Sequence, residues 1–494
     1  MTRETTGRPR SAAAALVVAA SLTVAAGAAH ASPLLELTGG VSDHPFVSAH
    51  LGDGPSVAYT NPALLTQGKV SSFFGVMVVS QALSIDLDPR DPSHDISEAV
   101  YKARLIGEDG LLSPLTIKPL ATSDLAEPRG SFDPSGSAGY LVLGSTTPIY
   151  RDRLFLGFQF TLPMAEFERQ SPFFVDEREQ FFSNSLHFEL LEDRLEGNAA
   201  VLALAGEVLD TLSVGVGASM VTLSEANSDV FIGDPSYSTG GNINPHVKIS
   251  TLFLPHAGIT WEPTSAWRLQ ATAHFAGGHK VRGRSSVQLW SFPYAEGENS
   301  IDQDFSLVYR YQPLRLGFGV RLGADPDSAG VRPWEAALSA RWSQWSTYLD
   351  RQGESPSETW ADTVELSAGA GVLLGAQRVG LDLRYTPSPV PDQVGRSSYV
   401  DNDRAALGLS WTLPLARGWD LGLQGQAHAL LARATVKRAD ASNPVFDEFP
   451  DSADLKTGDL IPESQGLQTN SPGFPGFSSE GWIWTGGIVL RRAL

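Results

Sequence analysis

Polar and apolar residues alternate along most of the chain with a period of two. From 267 to 275, Trp267, Leu269, Ala271, Ala273 and Phe275 take one phase, and Arg268, Gln270, Thr272 and His274 the other. Successive side chains of a strand point to opposite faces, so this stretch predicts a ribbon with one greasy face and one polar face. The turn before it carries Trp261 and Trp267 on the apolar phase, on either side of Glu262, Pro263, Thr264 and Ser265. Indoles at strand ends suit a membrane–water boundary, where the ring sits in the headgroups. A soluble sandwich alternates in the same way, but its turns have no reason to sort by length.

The same pattern recurs. Leu154, Leu156, Phe158, Phe160 and Leu162 alternate with Gly157, Gln159 and Thr161, and Leu314, Leu316, Phe318, Val320 and Leu322 oppose Arg315 and Arg321. Candidate strands fall at 69–87, 138–148, 153–162, 196–206, 211–223, 247–261, 267–280, 303–323, 334–348, 363–374, 378–386, 404–413, 419–434 and 481–494. Pro255 and Pro313 interrupt two of them, as edges, bulges or kinks do. Keeping 303–323 whole gives 14 strands, an even number, and puts every short turn on one side and every long loop (163–195, 224–246, 281–302, 387–403 and 435–480) on the other. The expected fold is all-β: a 14-stranded antiparallel transmembrane β-barrel over 68–494, with both termini periplasmic. Residues 32–67 are too apolar for a free tail and too broken by glycine for a regular element, which suits a plug inside the lumen. Asp95 to Glu98 reads as a capping box opening a short helix to about Ile106.

The N-terminus explains how such a chain would reach a membrane. Arg3, Arg8 and Arg10 precede the apolar run Ala12–Ala26, and Ala29-His30-Ala31 is a small-x-small cleavage site, so 1–31 reads as a secretory signal peptide. No later run is long and apolar enough for a spanning helix. An exported chain without such a helix can still span a bilayer as a closed barrel, here in the outer membrane of a Gram-negative envelope. The last strand ends on Leu494 with Trp482, Trp484, Ile488 and Leu490 in phase, a terminus suited to the outer-membrane assembly machinery.

Composition narrows the chemistry. The 494 residues include 48 glycines and no cysteine, which excludes disulfides and thiolate metal sites. The net charge of −19 argues against nucleic acid as a partner. No G-x-S-x-G elbow or H-E-x-x-H helix occurs and the ten histidines are scattered, so neither an enzyme nor a cofactor or metal site is expected. Lumen-phase Arg268, Arg315, Arg321, Arg384 and His274 either meet a carboxylate head group through a two-point fork or form a structural network with acids such as Asp382 and Asp420. Phe173, Phe174, Phe181 and Phe182 make the 163–195 loop oddly apolar, either as a capture surface for greasy molecules or as the loop's own core. Asp86, Asp88, Asp91 and Asp95 are a divalent-cation site shared with lipopolysaccharide, or a solvated loop. Pro255 and Pro313 are candidate wall kinks.

Three separate stretches resemble the outer-membrane long-chain fatty-acid transporter family of FadL/TodX type, which also contains aromatic-hydrocarbon channels. Residues 54–65, with Asn61-Pro62-Ala63, resemble the family's N-terminal hatch. Trp342-Ser343-Gln344-Trp345-Ser346 resembles its W-x-x-W-S strand. Tyr385-Thr386-Pro387-Ser388-Pro389 followed by Asp401-Asn402-Asp403-Arg404 resembles its late loop, with Val400 where proline is common. The resemblance implies a monomeric barrel closed by a hatch holding Asn61, Pro62 and Ala63, uptake of fatty acids or other hydrophobic compounds, and sideways release into the membrane. A general diffusion porin for polar solutes, or an adhesive or structural barrel, are the alternatives that the residues alone leave open.

Overall fold

The computed structural model describes residues 33–68, 70–88, 131–132, 135–150, 152–165, 198–232, 241–289, 300–326, 332–350, 353–356, 358–395, 399–438 and 475–493. The signal segment, the helix expected after Asp95, and Phe173, Phe174, Phe181 and Phe182 lie outside the described residues.

Fourteen strands close into one antiparallel barrel. They are β1 Ser71–Leu87, β2 Ser135–Tyr150 with a lead-in at Ser131–Phe132, β3 Leu154–Pro163, β4 Ala199–Leu209, β5 Leu212–Ile232 and β6 Gly241–Trp261. Next come β7, in two parts Trp267–His274 and Gly277–Leu289, and β8, in two parts Ser300–Gln312 and Arg315–Gly323. The rest are β9 Trp334–Ser343, β10 Thr363–Leu374, β11 Gln377–Thr386, β12 Arg404–Pro414, β13 Trp419–Val436 and β14 Gly476–Ala493. Closure comes from β1, which pairs with β14 from Ser71↔Ala493 to Leu87↔Phe477 and with β2 on its other edge. No sheet edge is left along this seam, as a hydrocarbon surround demands.

Burial is inverted relative to a soluble sheet. In β7, Trp267 and Leu269 are exposed, whereas Gln270, Thr272 and His274 are buried. Phe318, Leu338, Leu366 and Leu383 present 53–63% of their surface outward. Exposed Trp261, Trp267, Trp334, Trp411 and Trp419 gather at the end with the short turns, forming one aromatic girdle. Arg492, out of phase on an apolar face, lies over the Trp419 ring at 5.5 Å and so reaches the same boundary.

Several strands outrun their apolar pattern. β5 continues to Ile232 and β6 starts at Gly241, so most of the expected loop 224–246 is ladder. The same holds for parts of 281–302 and 435–480. Main-chain pairing needs no greasy face, so these hairpins extend where alternation gives no signal. In the other direction, the strand expected to reach 348 stops at Ser343 and yields to a 3-10 turn, Trp345–Thr347.

Residues 33–67 fill the lumen. The plug comprises α1 Pro33–Thr38, α2 Ser48–Leu51, a 3-10 turn Gly54–Ser56, α3 Val57–Thr60 and a 3-10 turn Pro62–Thr66. Its apolar side chains go two ways. Leu34, Leu37 and Val41 pack with Met77, Tyr140, Val142, Ile483 and Val489 of the closing seam. Leu35, Val57, Leu64 and Leu65 pack with Phe155, Val201, Ala203 and Leu254 of β3 to β6. Along the wall from β7 to β13 hydrogen bonds and ion pairs carry most of the grip on the plug, beside a small apolar contact of Val47 and Leu51 with Ala337 of β9.

Candidate functional site

Asn-Pro-Ala has a local mechanical role. The Asn61 side chain accepts from the Ala63 N–H at 3.2 Å, capping the turn that Pro62 starts without an N–H to satisfy. Its amide donates to Ala49 O at 2.9 Å and to Thr260 Oγ1 of β6 at 3.4 Å. The wall accommodates this backbone because it is glycine there. A Cβ on Gly215 would strike the Pro62–Ala63 peptide, and one on Gly258 would strike Asn61 Oδ1. Gly319, Gly369 and Gly380 face His50, Val47 and His44 in the same way.

The charged half of the lumen centres on Glu36 of α1. Arg315 of β8 lies 2.8 Å from Glu36 Oε1, Arg341 of β9 binds Oε2, and the Tyr59 hydroxyl donates to Oε1 at 2.6 Å. Burial works against ionisation of Glu36, yet Arg315 and Arg341 hold its carboxyl well below the ordinary carboxylate range. Glu365 of β10 bridges Arg341 at 2.9 Å and Arg384 of β11 at 3.3 Å. Arg384 also donates to the carbonyls of Glu36 and Phe46 and lies over the Phe46 ring. Asp382 accepts from the Phe46 N–H and bonds His44 Nδ1 at 2.8 Å. Arg491 of β14 closes the circle on Asp43 at 2.6 Å.

The four arginines singled out in the sequence therefore separate. Arg315 and Arg384 grip the plug. Arg268 and Arg321 sit at the short-turn end and share Glu262. All four are paired with the protein's own acids. Pro313 falls at the break between the two parts of β8, and Pro255 at the foot of an opening described next. Asp86 and Asp88 are at the end of β1; no group of three acidic or histidine side chains able to hold a metal occurs among the described residues.

The wall is interrupted between β6 and β7. Those strands pair only from His256↔His274 to Trp261↔Leu269. Above that point, among the described residues, one backbone bond, Phe275 N–H to Pro255 O at 3.4 Å, joins them. Higher up, the second part of β7 pairs in parallel with β5, from Ser224↔Val281 to Ile232↔Leu289, and not with β6. Phe275 to Lys280 thus have no ladder partner on the β6 side, a gap of roughly 20 Å at strand rise. Its foot is closed by the stacked rings of His256 and His274, 5.2 Å apart, and by Tyr59 of the plug set edge-on to both. His256 bonds Ala58 O at 2.7 Å.

A small cavity of about 60 Å³ lies between α1 and the loop after β11, lined by Glu36, Trp345, Arg384, Asp401, Arg404 and His428 among others. Pro387 and Pro389 at one end of that loop, and Asp401 and Asn402 at the other, cover it. Asp403 accepts from Tyr385 Oη and the Ser388 N–H, Asn402 donates to Leu431 O and Ser479 O, and Arg433 donates to Val390 O at 2.6 Å. Stretches that stand far apart in the sequence, W-x-x-W-S and the Thr386–Arg404 loop, meet here. Sequence reasoning placed Arg404 only as a strand start; its position at the end of Asp-Asn-Asp-Arg was the available signal.

These features define a plugged, 14-stranded transmembrane barrel with a polar-gripped plug and an interrupted wall. No family model matches the sequence, and no curated protein matches it. Among solved structures it is similar to a FadL homologue of Pseudomonas aeruginosa, with a TM-score of 0.53 at 13% identity over 95% of this chain and 100% of that one. It also aligns with the Pseudomonas putida toluene transporter TodX (TM-score 0.44, 10% identity, 92% and 99% covered) and the Ralstonia pickettii toluene transporter TbuX (0.41, 12%, 95% and 99%). The fold is that of the FadL homologue.

Proposed function

We propose that the protein takes up hydrophobic small molecules across the outer membrane, receiving them from the long-loop side and releasing them sideways into the membrane through the β6–β7 gap. The observation that carries this reading is the pairing of a filled lumen with an opened wall. A diffusion porin needs a continuous aqueous bore, whereas residues 33–67 occupy this one. An apolar solute gains roughly 25 cal/mol per Å² on leaving water, so a lipid-facing exit suits it better than an aqueous one. Tyr59 links the two ends of the path: it closes the foot of the gap and bonds Glu36, which borders the cavity. A plug shift at Glu36 would withdraw Tyr59 from the His256–His274 pair. FadL-type fold supports the same direction, as do the resemblances at Asn61-Pro62-Ala63 and Thr386–Arg404. In this reading 1–31 is the cleaved signal, 32–67 the hatch and 68–494 the barrel, which spans the outer membrane, touches its lipid and lipopolysaccharide, and acts as a monomer.

A disulfide lock tests it, because the chain has no cysteine of its own. Thr66 Oγ1 and Ser213 Oγ are 2.8 Å apart, so the double variant Thr66→Cys/Ser213→Cys brings two thiols together between plug and β5. Cells carrying it should take up labelled oleate or toluene when reduced and stop when oxidised. Uptake no faster than in cells lacking the protein, for every hydrophobic probe, would overturn the reading.

A further inference from the structure

We propose that the short-turn end of the lumen holds a binding site for a phosphate group, built on Arg321 of β8 with Arg268 of β7 and Arg332 of the β8–β9 turn. The site shares no residue with the cavity beside α1, and it goes beyond the uptake reading without resting on it. The ladder sets Arg321 directly across from Arg268. Like charges facing each other across a strand pair repel, so this pair needs a counter-charge. The protein supplies one carboxylate, Glu262, and both guanidinium groups go to the same oxygen of it, Arg268 through Nε and Arg321 through Nη2 at 3.4 Å. Arg332 adds a third cation that repels Arg321, and it donates to the Ala324 carbonyl. The other acids nearby are engaged elsewhere. Glu335 is bound by Arg378, and exposed Asp325 accepts from the Ser265 hydroxyl.

Arg321 is the most demanding member. Its side chain is fully buried, and its Nε and Nη1 have no hydrogen-bond partner. A buried guanidinium with two idle nitrogens is costly, and an oxyanion offsets it through charge-assisted hydrogen bonds. A tetrahedral phosphate presents oxygens in several directions. That suits donors arriving from two strands and a turn better than a planar carboxylate does. The way in is from the short-turn side. Exposed Gln67, which follows the last turn of the plug, touches Arg268 Nη2 at 3.5 Å, the limit of a hydrogen bond. Arg268 and Glu262 keep 12% and 22% of their side-chain surface open. An anion therefore meets Arg268 first and reaches Arg321 by displacing Glu262.

The test uses the full chain in maltoside micelles at about pH 8, where arginine keeps its charge and phosphate is anionic. Inorganic phosphate is titrated calorimetrically against sodium chloride of equal ionic strength. The native protein should bind phosphate saturably and chloride not. Arg321→Gln should weaken phosphate roughly ten-fold or more, the effect of one charge-assisted contact. Glu262→Gln should tighten it, because the competing carboxylate is gone; a purely structural ion-pair network gives no such gain. Heat-modifiable gel migration verifies that each variant is a barrel, and if Arg321→Gln is not, half-buried Arg332→Gln should show the weakening instead. Repeating the titration in phosphatidylglycerol nanodiscs identifies the source of the phosphate. Undiminished binding there assigns the site to free phosphate. Binding that vanishes there, with a phospholipid retained by the native protein in mass spectra and absent from the arginine variant, assigns it to a lipid headgroup. No saturable phosphate binding and no retained phospholipid, or equal phosphate affinity in the native protein and the variants, overturns the site and leaves uptake standing.

Discussion

Tyr59 donates a 2.6 Å hydrogen bond to Glu36 while its ring stands edge-on to His274 at a 4.9 Å centroid separation. One plug side chain therefore touches both the ion-pair network and the foot of the wall gap. Replacing it by phenylalanine keeps the ring and removes the bond to a carboxylate, worth about 1.5–3 kcal/mol. Tyr59→Phe should leave the barrel intact and speed amide exchange at 275–280 relative to the fully paired β10–β11 ladder. Identical exchange in both proteins would disconnect plug and gap.

Glu36 is the counter-charge for buried Arg315 and half-buried Arg341. Glu36→Gln leaves Arg315 and Arg341 short of it, and breaking a buried pair from one side costs about 3–5 kcal/mol. The expected outcome is a plug that proteases reach in an otherwise heat-modifiable, folded barrel. A fully protected plug would show that the apolar packing of Leu34, Leu35 and Leu37 holds it alone.

Plug docking should weaken in mild acid because of His50. Burial lowers its pKa from 6.5 to about 4; Gln270, bonded to Nδ1 at 2.9 Å, opposes that and the Arg268 charge adds to it. A docked form that resists protonation loses stability relative to a released one as pH falls from 6.5 towards about 4, and has its full stability above 6.5. His44 works in the opposite sense. Burial depresses it but Asp382 raises it, so its contribution is complete below 6.5 and does not change across that window. Protease protection of the plug, followed from pH 7 to about 4, should decline, and His50→Gln should flatten the decline.

The wall glycines predict a steric series. Gly258→Val puts methyl groups where Asn61 Oδ1 lies, and overpacking of this kind costs typically 1–3 kcal/mol. Gly486→Ala meets open space and should be neutral. Thermal melts of the two variants in detergent separate these outcomes; equal melting temperatures would remove the close approach as a constraint.

Much of the architecture was legible in the linear pattern. Alternation such as Trp267 to Phe275 depends only on strand geometry and on lipid outside, so strand number, closure and the apolar belt followed from it. The early segment, too apolar for a tail and too broken by glycine for a regular element, marked a plug, whereas the capping role of Asn61 needed the structure. What needed the fold was pairing. Whether Arg315 faces a substrate or Glu36 depends on a residue 279 positions earlier in the chain, brought close only when the barrel closes. The β6–β7 gap is a matter of register, set by which strand edges meet, and period-two sequence says which face a residue takes but not who sits beside it. Arg404 could not be distinguished from the other arginines by its neighbours in sequence. Only the tertiary arrangement shows that Glu36 and Glu365 neutralise Arg315, Arg341 and Arg384, because charge balance is a property of distances in space.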